Sequence, residues 1–411
     1  MNEEITVKSQ GSVTTTVADL IASVPAASSA GLIFGDRRVV DFFSVLASTL
    51  SRSAVGRAYP ELGALGFFLR RASLRRYLSQ SGNRSDVLRV PRGLTLHISP
   101  SNVTTMYVYS WAMSALAGNT NVVRLPSAVG RNNEVLLEAI GESIEQADPV
   151  VGATQRLISY PRDDNKTTAA LSSACQVRVI WGGDETIRHI RHFPLQPGAK
   201  ELTFPDRSSF SVLSARAWQA SGATARATLV TRFCNDAYWY GQAACSSPLT
   251  IFWIGERRVA EEASTEFFQA LAGEVRGRMS TLQASEAIEK AVLVHGLAAV
   301  GLISKAEFYG NEVVMLDVAP AGSTLDQWSG IGSFGRVCLP SLSQVSRAVK
   351  PRHQTVTHFG FSDDELRHFA QELGSLGVDR IVPVGQALNF DSVWDGCDLL
   401  CEFSRLRQLR F

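Results

Sequence analysis

From about residue 88 the chain alternates short apolar segments with helical patterns, and that rhythm restricts the fold more than any other feature. GLTLHI (93–98) reads as a strand, TTMYVYSWAMSALA (104–117) as a helix stopped by Gly118, and NVVRL (121–125) as a strand again. A helix over 131–147, the segment TQRLISY, a helix through TTAALSSAC and the strand QVRVIW (176–181) continue the series. Alternation of this kind predicts a parallel sheet with helices on its faces. A second series starts near Ser208, with SFSVL, a long helix, LTIFWI (249–254), another helix and EVVMLDV (312–318). The stretch PLQPGAKELTFPD interrupts the pattern with prolines and a glycine and marks a boundary between Lys200 and Asp206. Residues 1–85 read as helical and irregular, with apolar residues at helical spacing in DRRVVDFFSVLASTLS and ELGALGFFLRRASLRRYLSQ.

The chain has 411 residues, too many for one simple core, with 45% apolar and 19% charged residues, which excludes a disordered polymer. A net charge of +1 gives no electrostatic reason to expect nucleic acid or a membrane surface. The N-terminus is polar and lacks the apolar core of a signal peptide, and no apolar run is long enough for a membrane helix. Six scattered cysteines (175, 234, 245, 338, 397, 401) do not make a disulfide framework, so a reducing cytoplasm is the expected compartment. They also complete no zinc set, and no metal is expected.

Four segments carry candidate chemistry. Gln242-Ala-Ala-Cys245 sits between the aromatic run Tyr238-Trp239-Tyr240 and a predicted buried strand, where a thiolate nucleophile is reachable through a narrow channel. A lone cysteine is more often a small core residue, and the aromatics more often core than tunnel lining. Ser99-Pro100-Ser101-Asn102 follows the first predicted strand, where parallel sheets bind ligands. Asn102 is either a helix N-cap or an amide donor for a developing oxyanion. Arg124-Leu-Pro126-Ser127 closes the next strand and offers a guanidinium to a phosphate or ribose; the plainer alternative is a surface arginine. Trp181-Gly182-Gly183-Asp-Glu-Thr186 lets backbone approach a pyrophosphate at a helix N-terminus, although no G-x-G-x-x-G is present. Arg70, Arg71, Arg75 and Arg76 make a basic helical face, solvated or used to dock the phosphates of CoA or an acidic carrier protein.

Taken in order, HISPSNVTTMYVYSWAMSALAGNTNVVRLPS (97–127), WGGDETI (181–187), FPDRSSFSVL (204–213), DAYWYGQAACSSPLTIFW (236–253) and RIVPVGQALNFDSVWDG (380–396) resemble the aldehyde dehydrogenase superfamily. They are most similar to its acyl-CoA reductase branch, the fatty acid reductase type of bacterial luminescence. The resemblance implies two α/β domains with parallel-rich sheets. These are a cofactor domain (86–203), with a helical N-terminal segment (1–85) packed on it, and a catalytic domain (204–385) carrying Cys245. A C-terminal segment (386–411) returns to the cofactor domain or to an oligomer interface. It also implies a homodimer or homotetramer.

Roles follow by resemblance. Cys245 falls on the nucleophile and Asn102 on the oxyanion-hole asparagine. Ser99, Pro100, Arg124, Pro126, Ser127, Gly182, Gly183, Thr186 and Phe334 fall on cofactor-binding segments, and Tyr238, Tyr240 and Gln242 on the substrate side. An arginine at 124, where many relatives have lysine, suits a 2′-phosphate and favours NADPH over NADH. Glu201 is the nearest candidate for the water-activating glutamate of the oxidising relatives, but Glu-Leu-Gly-Gly has become Glu201-Leu-Thr-Phe204. The glutamate that precedes Phe-Gly-Pro is missing, since Ile331-Gly-Ser-Phe334-Gly335 occupies that region. The expected reaction is therefore reduction of an acyl thioester, from acyl-CoA, an acyl carrier protein or a partner acyl-protein synthetase, to an aldehyde. A cofactor-independent thioesterase or acyltransferase, and a non-catalytic member that binds cofactor or a partner, are the alternatives.

Overall fold

The computed structural model of the chain describes residues 4–10, 12–25, 31–52, 59–81, 86–100, 102–126, 130–278, 284–319, 324–328 and 330–410. The chain divides into two compact units, Met1–Pro205 with Phe390–Phe411, and Asp206–Asn389.

The first unit contains, in chain order, β1 (Glu4–Val7), β2 (Val13–Thr16), α1 (Val17–Ser23), α2 (Arg37–Arg52), α3 (Pro60–Phe68), α4 (Arg71–Gln80), β3 (Val87–Pro91), β4 (Leu94–Ile98), α5 (Met106–Leu116), β5 (Thr120–Arg124), α6 (Arg131–Glu145), α7 (Pro149–Thr154), β6 (Gln155–Ser159), α8 (Asn165–Ala174), β7 (Val177–Trp181), α9 (Asp184–Arg191) and β8 (Lys200–Phe204). Its main sheet has the order β2-β1-β6-β5-β4-β7-β8. The strands from β6 to β8 run parallel, and β1 and β2 add an antiparallel edge. The sequence reading of 1–85 as helical missed that edge. EITV and VTTT are only four residues each and lack an apolar run, so the pairing of β1 with β6 and of β2 with β1 overrides a weak local signal.

The inner strands read as near-continuous apolar segments because both faces are covered. On one face Ile98, Val122, Ile158 and Ile180 pack with Leu171 of α8 and Ile187 and Ile190 of α9. Every residue of α5 is buried, as expected for a helix without a polar face. His97 of β4 is a core histidine: its Nδ1 lies 2.9 Å from Ser110 Oγ and its Nε2 3.0 Å from Asn121 Oδ1. Burial pushes its pKa down to about 4. The chain leaves β4 for β5 and β6 on one side, then returns to β7 and β8 on the other. The carboxyl ends of β4 and β7 are therefore a topological switch point, where open α/β sheets leave a crevice.

The second unit contains β9 (Ser208–Ser214), α10 (Ala215–Ala220), α11 (Ala223–Tyr238), β10 (Pro248–Ile254), α12 (Arg257–Arg278), α13 (Ala284–Ala299), β11 (Ile303–Tyr309), β12 (Val313–Val318), β13 (Ser333–Leu339), β14 (His353–Phe359), α14 (Asp363–Leu373) and β15 (Arg380–Pro383). Its sheet order is β11-β12-β13-β10-β9-β14-β15, parallel except for β11. All seven residues of β10 are buried, which is why LTIFWI lacks alternation. One side of this sheet is closed by a cluster that includes Trp218, Phe233, Trp253, Phe267, Phe268 and Phe334. The chain then returns to the first unit through β16 (Val393–Trp394), β17 (Cys397–Asp398), α15 (Leu399–Glu402) and β18 (Ser404–Gln408), which pairs antiparallel with β3.

Candidate active site

In the first unit the candidate residues collect at the carboxyl edge of the sheet. Ile98 is in register with Arg124 on one side and with Ile180 on the other, so Ser99, Arg124 and Trp181 lie on three adjacent strands. Ser99 Oγ, Arg124 Nε and Nη2, and Trp181 Nε1 are all buried without a hydrogen-bond partner among the described residues. The Arg124 guanidinium lies 4.7 Å over the Tyr160 ring, which orients it and leaves Nε and Nη2 unused. A buried donor left unmade costs roughly 1–3 kcal/mol, more when charged. Such a group of donors along one edge fits a ligand rich in phosphate and hydroxyl oxygens. The sequence placed Ser99 and Arg124 here; Trp181 and its indole N–H were missed, because a tryptophan ending a strand reads as core.

The neighbouring predicted residues are less uniform. Asn102 is exposed in the bend after β4, and the N-cap position of α5 is Thr105, so capping does not account for Asn102. Pro100 is half-buried and Pro126 is buried, while Ser127 lies outside the described residues. A Cβ at Gly182 would sit 3.2 Å from the Thr186 side chain, so glycine keeps this turn tight. Thr186 Oγ1 accepts a hydrogen bond from Arg162 Nη2 at 3.1 Å, a partner that nothing in PRDDN announces. Gly183 caps α9 without a side-chain bond, but Asp184 and Glu185 occupy the first turn. Two carboxylates at the positive pole of a helix oppose a second anion there. Arg124 is therefore better placed than the α9 N-terminus to meet an anion at this edge.

Glu201 is committed elsewhere. Its Oε2 accepts from Arg178 Nε at 2.9 Å and Nη2 at 2.5 Å, and its Oε1 from Arg191 Nε at 2.8 Å. Burial raises its pKa, but the hydrogen bonds from Arg191 and Arg178 outweigh burial and hold the carboxyl below its ordinary range. A carboxylate whose two oxygens both bind guanidinium is a poor proton acceptor. Its partner Arg178 is nearly buried, with 3% side-chain exposure, and would be stranded without it. We therefore expect Glu201→Gln to lower the thermal midpoint, at a cost of about 3 kcal/mol, while the folded fraction keeps its turnover. Unchanged stability with lost turnover would return Glu201 to the chemistry.

In the second unit Cys245 lies in the turn between α11 and β10, at the amino edge of the sheet. Its carbonyl accepts a 2.6 Å hydrogen bond from Ser209 Oγ, which in turn accepts from the Thr355 amide at 3.0 Å. Ser247 Oγ donates to the Asp236 carbonyl at 2.7 Å. The buried Asp236 carboxylate accepts from the amides of Gly385 and Ala387 at 2.6 and 2.9 Å, so one residue ties α11 to the loop after β15. Burial pushes its carboxyl up to about 7 against the pull of those amides. Trp328 Nε1 donates to the Gly241 carbonyl at 2.9 Å. The turn that carries Cys245 is thus pinned from several elements.

Three residues read as substrate or cofactor contacts have other work. Gln242 is buried, with φ at +64°, a left-handed conformation that costs a non-glycine residue roughly 1–2 kcal/mol. Its Nε2 donates to the carbonyls of Pro248 (3.1 Å) and Ser333 (2.9 Å), and its Oε1 accepts from the Gly332 amide at 2.9 Å. With its side-chain amide spent on the loop, Gln242 is a brace. Tyr238 is buried in the core cluster, and its hydroxyl donates to the Glu312 carbonyl at 3.1 Å. Phe334 is fully buried among Phe233, Tyr238 and Phe268 and has no surface to offer a cofactor. Tyr240 stays half-buried at the turn itself.

Four of the other thiols are poor nucleophiles by environment. Burial pushes Cys175 up to about 12, and Cys234 and Cys338 up to about 11. Cys401 is raised by burial and by donating its thiol to Asp398 at 3.0 Å. Cys245 is half-buried, in a braced turn. Among the described residues, no group of three or more His, Cys, Asp or Glu is placed to hold a metal ion, and no helix is long and apolar enough to cross a membrane.

Two parallel-rich sheets, one with an open carboxyl edge and one presenting a cysteine turn, define an aldehyde dehydrogenase-type fold. Solved structures agree. An oxidoreductase from Marinobacter aquaeolei superposes with a TM-score of 0.66 at 13% identity, covering 100% of this chain and 94% of its own. A salicylaldehyde dehydrogenase from Pseudomonas putida G7, solved with salicylaldehyde, gives 0.65 at 14% identity, covering 96% and 90%. A NAD-dependent benzaldehyde dehydrogenase from Corynebacterium glutamicum gives 0.61 at 12% identity, covering 99% and 95%. No curated protein matches the sequence. The family model "Acyl-CoA reductase (LuxC)" matches residues 64–406, and the chain belongs to that family. It is therefore an oxidoreductase of the acyl-CoA reductase type.

Proposed function

We propose that this chain reduces an acyl thioester to an aldehyde through an acyl group carried on Cys245, with NADPH as reductant. Support for the covalent step is the braced turn that presents Cys245 as a half-buried thiol while burial raises the pKa of Cys175, Cys234 and Cys338. Support for the cofactor is the set of unused buried donors on Ser99, Arg124 and Trp181.

The Cys245 thiolate adds to the thioester carbonyl, the bond to the leaving sulfur breaks, and CoA or a carrier-bound pantetheine departs as thiol after taking a proton. Asn102 is assigned as side-chain donor to the oxyanion, as the resemblance implies, a role worth roughly 3 kcal/mol of barrier. Arg124 and Ser99 hold the cofactor, with the Arg124 charge reading its phosphate. When bound, the reduced nicotinamide supplies one hydride to the acyl carbon. Cys245 then leaves as thiolate, the carbonyl re-forms, and the aldehyde is released. With Glu201 held by two arginines, no carboxylate is assigned to activate water, which favours reduction over hydrolysis of the acyl group.

Thiol release from an acyl-CoA separates this reading from a thioesterase. Without NADPH we expect a single burst of no more than one thiol per chain. With NADPH we expect continuous release, with one NADPH consumed per thiol. Continuous release without cofactor would replace the reductase with a cysteine thioesterase.

A further inference from the structure

We propose that a cavity in the first unit, between α2 and the N-terminus of α4, binds a small anion carrying at least two phosphate groups, at a site separate from the carboxyl edge of the sheet. The cavity measures about 740 Å³, and among the described residues Arg52, Arg70 and Arg71 line it with one carboxylate, Asp41. Asp41 pairs with Arg71 at 2.5 Å and with Arg37 at 3.6 Å, so its charge is already shared. Arg70 is exposed, stands 4.7 Å over the Phe67 ring, and has no carboxylate partner among the described residues.

The local electrostatics run against the helix. Arg70 is the N-cap of α4 without a side-chain cap, Arg71 is its first residue, and no acid stands in the first turn. Two cations at the positive pole of a helix are each unfavourable by about 0.3–1 kcal/mol. A phosphate in the cavity reverses that sign, meeting guanidiniums and uncapped amides together. A cavity of this size holds a nucleotide-sized ligand.

The site lies apart from the proposed cofactor edge. Gln146, which also lines the cavity, is the C-cap of α6. That helix starts just beyond Arg124 and runs for 15 residues, about 20 Å, away from the carboxyl edge. The α2 wall also precedes the span 64–406 matched by the family model.

The test is calorimetric titration of the full chain with inorganic pyrophosphate and, separately, with adenosine 3′,5′-bisphosphate, each in wild type, Arg124→Gln and Arg70→Gln. The Arg124→Gln background removes the cofactor edge, so failure of the cofactor assignment and failure of this site are read separately. We expect one saturable site per chain that survives Arg124→Gln and weakens at least tenfold in Arg70→Gln, with the thermal midpoint of the ligand-free variant unchanged. Tighter binding of the bisphosphate identifies a nucleotide as the natural ligand; equal binding identifies the phosphates alone. Absence of saturable binding in Arg124→Gln, or unchanged affinity in Arg70→Gln, overturns the site.

Discussion

Cys245→Ala is expected to lower acyl-CoA reduction by at least ~10⁴-fold, which is about 5.5 kcal/mol of barrier. No other side chain replaces a nucleophile in a two-step acyl transfer, and the remaining described thiols with resolved shifts are held protonated by burial. The turn itself survives the change. One contact that pins residue 245 uses its carbonyl, which accepts from Ser209 Oγ, and alanine keeps that carbonyl. Loss of one half-buried sulfur is worth less than about 1 kcal/mol of stability. The thermal midpoint of the variant should match wild type, and its affinity for NADPH should be unchanged. Aldehyde formed at more than a few per cent of the wild-type rate would remove the covalent scheme.

Arg124→Gln is expected to raise the KM for NADPH by roughly 10–100-fold with a much smaller change for NADH, the loss of one or two charge-assisted hydrogen bonds of about 1.5–3 kcal/mol. The same change should not destabilise the ligand-free chain. Nε and Nη2 of Arg124 are buried and unpartnered, so the guanidinium makes no hydrogen bond through them that glutamine would forfeit. What is lost is the stacking on Tyr160, a contact worth about 0.5–1 kcal/mol. A residue kept for stability would show the opposite pattern, with a lower midpoint and unaltered KM. The measurement is a pair of KM titrations, one per cofactor, alongside a melting curve with and without saturating NADPH. Equal loss for both cofactors would assign Arg124 to the shared part of the dinucleotide and remove the 2′-phosphate preference.

The alternating pattern made the two α/β sheets legible, since strands such as VRVIW and LTIFWI are buried on both faces and carry no competing reading. The edge strands β1 and β2 were not legible. They are only four residues each and are defined by pairing: β1 with β6, a partner about 150 positions away, and β2 with β1. At the proposed site, side-chain type is what singles out Cys245, Asn102 and Arg124 in the sequence, because thiol, amide and guanidinium chemistry follows from the residue and its place beside a strand. What sequence could not give was the direction in which a side chain spends its hydrogen bonds. Gln242 looked like a polar group beside a nucleophile; its left-handed backbone turns the amide inward, onto the carbonyls of Pro248 and Ser333. Phe334 lies beside a motif that contacts cofactor in relatives, yet strand alternation points its ring into the core. Glu201 has the residue type of a general base, but Arg178 and Arg191 reach it from β7 and α9 and bind both its oxygens, a meeting the linear order does not display.

In the proposed mechanism one sulfur carries the acyl group until hydride reaches it. Intact mass spectrometry of the full chain with an acyl-CoA tests it most directly. Without NADPH the chain should gain the mass of one acyl group, mapped to Cys245 and labile to hydroxylamine; on adding NADPH the adduct should vanish as an equimolar amount of aldehyde appears. An adduct that decays to the free acid at the same rate with and without NADPH, or aldehyde produced with no adduct at Cys245, would contradict the account.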